Sequence, residues 1–135
     1  MACARSVLIY SLGISVLVAI ACNGGEAEPT VHANPADTIR IVTGEQFKIS
    51  LKSNPTTGYG WQFTSEIDTL MIKFIEREYI PDPNPEGLVG RGGRDQWRFT
   101  GVRKGTTSVS LQYLQPWDST SVAQTIEFHV EVKDK

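Results

Sequence analysis

The stretch "IEFHVEV", residues 126–132, sets Ile126, Phe128, Val130 and Val132 alternately against Glu127, His129 and Glu131. A period of two puts one set on each face of an extended chain, so this is a strand with one face in a core and the other in water. The same period extends back through the sequence. Val109, Leu111 and Tyr113 alternate with Ser108, Ser110 and Gln112, Trp97 and Phe99 with Gln96 and Arg98, and Trp61 and Phe63 with Gln62 and Thr64. Phe47, Ile49 and Leu51 alternate with Lys48 and Ser50, and Ile39 and Ile41 with Thr38 and Arg40. "TLMIKFIEREYI", residues 69–80, is more continuously apolar, but its β-formers and the closing Pro81 read as strand. No helix period competes. About seven to eight strands, punctuated by turns at Gly44, Gly101 and Gly105, predict an all-β, immunoglobulin-like antiparallel β-sandwich. Trp61 and Trp97 lie inside alternating runs and read as core.

With 135 residues and 40% hydrophobic composition, the chain suits one domain with a core of its own. Its formal charge of -2 includes no cationic cluster along the sequence, which argues against a nucleic-acid partner. Residues 1–21 follow other rules: Arg5 is their only charge, and "SVLIYSLGISVLVAIA" is a continuous apolar run. That pattern predicts an export signal, too short for a membrane span of roughly 20 residues. Cleavage before Cys22 is suggested by Ala19-Ile20-Ala21, an A-x-A site, and "AIAC" also reads as a lipoprotein box. Cys22 is therefore a candidate lipidation site, and a lipid there is the one membrane contact expected. The protein is expected to be exported to the periplasm or extracellular space. Loss of the leader leaves 12 basic residues against 15 acidic, a charge of -3.

Cys3 and Cys22 are the only cysteines, so the domain beyond them has no internal disulfide and no thiol nucleophile. Residues 22–36 carry Gly, Pro and Glu without periodic hydrophobics and read as a flexible spacer, with the domain proper spanning 37–135. His32 and His129 have no catalytic companions, no G-x-S-x-G elbow is present, and no ligand cluster suits zinc. "VGRGGRDQW" resembles a phosphate loop only in its glycines, since strand rather than helix follows. Glu76 and Glu78 share a strand face by spacing and read as a solvated face. Neither catalysis nor a metal or cofactor is expected.

Three loops exceed what chain reversal requires: Ser53–Gly60, Pro81–Arg94 and Gln115–Val122. In an immunoglobulin-like strand order they gather at one end. Within "SNPTTGYGW", Pro55 fixes its own φ, Asn54 is pushed toward extended geometry, Thr56 and Thr57 are stiff, and Gly58 permits a positive φ. The loop reads as a rigid tip with Thr56 and Thr57 as unpaired polar groups at its apex. Tyr59 either braces it from below or joins the contact.

"NPTTGYGW" (Asn54–Trp61), "GRGG" (Gly90–Gly93) and "QPW" (Gln115–Trp117), in that order, resemble the three motifs of the chagasin-type inhibitors of papain-family cysteine peptidases. The resemblance covers about residues 37–133. It implies an immunoglobulin-like sandwich whose three loops form a wedge that occludes the peptidase cleft reversibly. On this basis Asn54, Pro55, Thr56, Thr57, Gly58, Tyr59, Gly90, Arg91, Gly92, Gly93, Gln115, Pro116 and Trp117 are the expected peptidase contacts. Bare backbone at Gly92 and Gly93 is expected to approach an extended strand of the enzyme. Gln115 stands where the family usually has arginine, so any ion pair made by that cation is lost. A monomer is expected. An immunoglobulin-like adhesion or carbohydrate-binding module, using the same loops or an aromatic strip on a sheet face, is the alternative, and a structural envelope subunit is a third.

Overall fold

The computed structural model describes residues 26–135. The expected signal peptide at 1–21, the candidate lipidation site Cys22 and the first residues of the spacer lie outside them. The elements in order are β1 (Thr30–His32), β2 (Ile39–Val42), β3 (Gln46–Ser53), a 3₁₀ turn (Pro55–Thr57), β4 (Gly60–Phe63), β5 (Ile72–Pro81), β6 (Gly93–Gly101), β7 (Gly105–Leu114) and β8 (Gln124–Lys133). They form two four-stranded sheets, β1-β3-β6-β5 and β2-β8-β7-β4. The inner faces meet in one core built from the alternating set: Ile39, Ile41, Phe47, Ile49, Leu51, Trp61, Trp97, Phe99, Val109, Leu111, Phe128, Val130 and Val132 are all buried.

Two features depart from the sequence reading. The sandwich is not wholly antiparallel: β1 pairs parallel to β3 and β2 parallel to β8, each at a sheet edge. Part of the expected spacer is also ordered into the sheet, with Thr30 opposite Phe47 and His32 opposite Ile49. Edge pairing explains why no hydrophobic period announced β1. The strand is three residues long, and its ladder depends on backbone groups rather than side-chain pattern.

The irregular β5 period has a cause. The register against β6 shifts between Phe74 and Glu76, a bulge that leaves Phe74 opposite Phe99 but pairs Glu76 with Arg98. Without that extra residue Glu76 would turn into the core. The slip also sets Arg77 opposite Trp97, where its guanidinium lies 4.8 Å from the ring centroid and grips Asp95 through both nitrogens, Nε to Oδ1 at 3.1 Å and Nη2 to Oδ2 at 2.7 Å. Asp95 is only 1% exposed, and this bidentate pair is what lets a carboxylate sit there.

Strand directions then fix where the loops fall. β3 and β5 both run antiparallel to β6, so the end of β3, the end of β5 and the start of β6 share one pole. In the other sheet, Leu114 at the end of β7 faces Gly60 at the start of β4, and Tyr113 faces Gln124 at the start of β8. The short 53–60 connection joins the two sheets at that same pole. All three long loops therefore emerge together.

Candidate functional site: a three-loop wedge

Asn54 organises the first loop. Its extended backbone (φ -136, ψ 91) caps the 3₁₀ turn, and its side-chain Oδ1 accepts from the Thr56 N–H at 3.2 Å and the Thr56 hydroxyl at 2.6 Å. Its carbonyl accepts from the Thr57 N–H at 3.1 Å and the Thr57 hydroxyl at 2.7 Å. The Gly58 N–H then bonds the Pro55 carbonyl at 3.0 Å, with Gly58 at φ 79 closing the turn in the left-handed region. Proline at the start, a capping asparagine and a left-handed glycine together specify one short turn. The expectation that Thr56 and Thr57 carry unpaired polar groups is thus corrected. Both hydroxyls fold back onto Asn54, as short polar side chains near a helix cap tend to do.

The second loop spans 82–92. Asn84 holds it by bonding Leu88 at both backbone groups, accepting from its N–H at 2.9 Å and donating to its carbonyl at 2.7 Å. The loop is tied to the first by one bond: Asn54 Nδ2 donates to the Gly90 carbonyl at 3.0 Å. Gly90 takes a positive φ of 76, and Val89 and Arg91 beside it are exposed. Gly93 has a different role from the one expected, and Gly92 is closely packed as well. A β-carbon on Gly92 would stand 2.9 Å from the Ser53 carbonyl oxygen, and one on Gly93 would stand 2.3 Å from the Ile80 carbonyl oxygen. Gly93 is buried as the first residue of β6, so its bare backbone admits β5 of this protein rather than a strand of a partner.

The third loop closes on itself. The Gln115 N–H bonds the Ser121 hydroxyl at 2.8 Å, and the Asp118 N–H bonds the Gln115 carbonyl at 3.0 Å across Pro116 and Trp117. Asp118 Oδ1 accepts from the Thr120 hydroxyl at 2.6 Å and the Thr120 N–H at 2.9 Å, which holds its carboxyl below the usual range. Trp117 is 72% exposed, yet one edge of its indole rests against the first loop: a β-carbon on Gly58 would stand 2.7 Å from Cη2. Glycine is needed at 58 for two reasons at once, its φ and this close approach.

Beneath the wedge lies a support that the sequence did not single out. Tyr113, at the end of β7, accepts a hydrogen bond from the Asn54 N–H at 3.0 Å, and its ring packs against Tyr59 (centroids 5.5 Å apart) and Trp61 (5.0 Å). Tyr59 braces the loop from below. Trp61 and Trp97 are core, as the alternation indicated. Tyr113 shares the period of Val109 and Leu111, and that is why it reads as one more core position. Among the described residues no group of three or more His, Cys, Asp or Glu is placed to hold a metal.

The family described as Chagasin family peptidase inhibitor I42 matches residues 40–132. Chagasin from Trypanosoma cruzi is 35% identical over 92 residues, 66% of this chain and 82% of that protein. Amoebiasin-1 from Entamoeba histolytica is 33% identical over 100 residues, 74% of this chain and 94% of that protein. The crystal structure of the cysteine protease inhibitor EhICP2 from Entamoeba histolytica is similar at a TM-score of 0.66 and 25% identity, covering 77% of this chain and 95% of that one. With its sandwich, its convergent loops and these relatives in agreement, the chain belongs to the chagasin family of peptidase inhibitors.

Proposed function

We propose that this protein is a reversible inhibitor of papain-like cysteine peptidases and that its three-loop wedge fills their active-site cleft. The family is one of inhibitors rather than enzymes. The observation that carries the reading is the cross-tying of the loops: the Asn54 side chain holds Gly90, and Trp117 rests on Gly58. A surface already assembled before binding gives up little conformational entropy on docking. Contacts on this reading come from the tip Pro55–Gly58, from Gly90 and Arg91, and from Pro116 and Trp117, with the exposed indole as the large aromatic anchor.

The same geometry accounts for resistance to cleavage. Peptidases take their substrates as extended strands. Here Pro55–Thr57 is a helical turn, and the carbonyls of Asn54 and Pro55 already accept hydrogen bonds inside it. Attack by the thiolate requires a carbonyl in line and its oxygen free for the oxyanion donors. Presenting either carbonyl that way means breaking the turn.

Export and tethering fit the same picture. The apolar run before Cys22 supports secretion, and Cys22 supports a lipid anchor. β1 enters beside Phe47, near the start of β3, whereas the wedge follows the end of β3. An anchor preceding β1 therefore attaches at the far pole and leaves the wedge facing outward on a monomer. The test is active-site titration of a papain-like peptidase with the purified protein, followed by mass spectrometry. Stoichiometric loss of activity with the inhibitor recovered intact is expected; full activity at micromolar protein refutes the assignment.

A further inference from the structure

The outer face of the sheet β1-β3-β6-β5 carries a charge pattern that the wedge does not use. Register sets Lys48 directly opposite Arg98 and Lys52 directly opposite Arg94, all on the solvent side, since the residues flanking each are buried. Like charges directly across a strand pair oppose folding. One pair is relieved: Arg98 Nη2 lies 3.0 Å from Glu76 Oε1. The other is not. Across β5, Arg94 meets Ile80 rather than an acid, and its Nε bonds the Ser50 hydroxyl at 2.8 Å. Among the described residues Lys52, Arg94 and Arg91 enter no ion pair. Lys52 precedes Ser53 and Arg94 follows Gly93, so this row is the one next to the wedge, with exposed Arg91 in the adjoining loop. A chain of net charge -2 thus places three cations that enter no ion pair at one shoulder of its binding end.

We propose that this shoulder is an electrostatic docking face for an acidic surface bordering the cleft of the bound peptidase. The inference rests on the wedge reading, because whatever fills the cleft brings the enzyme surface against Lys52 and Arg94. It also places positive charge beside loops one and two, where the third loop, with Gln115 at its start, contains none. A cationic patch meant for a polysaccharide or membrane would have no need to adjoin the wedge. Charge at such a rim acts chiefly on the rate of encounter and is screened by salt.

The test measures association rates of the purified protein with two papain-like peptidases, one with an acidic and one with a basic cleft border, from about 20 mM to about 500 mM salt. The acidic enzyme should bind about tenfold more slowly at the high-salt end, and Lys52→Glu should lose a similar factor at low salt with dissociation unchanged. Arg40→Gln, a loss of positive charge on the other sheet, should leave association unaltered. Equal rates for Lys52→Glu and Arg40→Gln, with inhibition intact, overturn the docking face but not the inhibitor assignment. If the wild type inhibits neither enzyme, the inhibitor assignment itself fails and the docking face with it. Heparin retention lost in Lys52→Glu, with peptidase association unchanged, overturns it in favour of a polyanion.

Discussion

The backbone N–H of Asn54 donates to the phenolic oxygen of Tyr113 at 3.0 Å, joining residues 59 positions apart. Every polar group of Asn54 is thereby engaged within the protein, so this residue holds the wedge together. Tyr113→Phe keeps the ring packing and removes only the acceptor. A partly buried N–H left unpaired costs about 1–3 kcal/mol. Inhibition constants against a papain-like peptidase should rise by about tenfold. Because the turn is loosened, mass spectrometry after long incubation should also detect cutting within residues 54–60. A variant that stays both tight and uncut would show that Tyr113 does not rigidify the loop.

Gly58→Ala meets two penalties, a left-handed φ of 79 and a clash with the Trp117 indole. The first costs about 1–2 kcal/mol for an L-residue. The second should displace the indole and shift its fluorescence. In a Trp117→Ala background only the backbone penalty remains, so the thermal stability loss caused by Gly58→Ala should shrink. Strict additivity of the two substitutions in a double-mutant cycle contradicts the contact.

What could be read from the sequence, and what could not, follows from the range of the interactions. Alternation is local, so six strands and their core positions from Ile39 to Val132 were legible in it, while β5 was read from its β-formers. The 3₁₀ turn was half legible: Pro55 and Gly58 announced stiffness, but the acceptors of the Thr56 and Thr57 hydroxyls depend on how Asn54 is turned. Tyr113 as a support and the pairing of Lys52 with Arg94 were not legible. Their roles come from partners more than forty positions away, set by a register that no single strand encodes. Gly93 was read as surface for the same reason, because its crowding comes from β5 lying alongside.

The Arg77–Asp95 pair should respond asymmetrically to truncation. Arg77 is partly exposed, whereas Asp95 is almost wholly buried, with side chains 39% and 2% accessible. Asp95→Ala leaves a guanidinium that can turn toward water. Arg77→Met leaves a carboxylate in the sheet with no counter-charge, an error that typically costs about 3–5 kcal/mol. Urea unfolding should therefore show Arg77→Met as the more damaging change. Equal losses would mean that solvent reaches Asp95.

A pH dependence is expected at β1. His32 packs edge-on against Phe47, with ring centroids 6.4 Å apart, and its Nε2 lies 3.0 Å from the Thr30 hydroxyl. Partial burial lowers its pKa from the ordinary 6.5, and nearby Asp37 opposes that shift without reversing it. A folded-state pKa below the unfolded one means that the folded state binds protons less readily. The stability from neutral His32 is therefore fully present above about pH 6.5 and is lost as pH falls through the lower folded value. Acidification from about pH 7.5 to about pH 5 should weaken the NMR contacts between Val31 and Lys48, while the Asn54–Tyr113 region stays unchanged. His32→Gln should abolish that difference between the two pH values. Persistence of β1 pairing in the wild type at pH 5, unchanged from neutral pH, would mean that the imidazole plays no part in holding the strand.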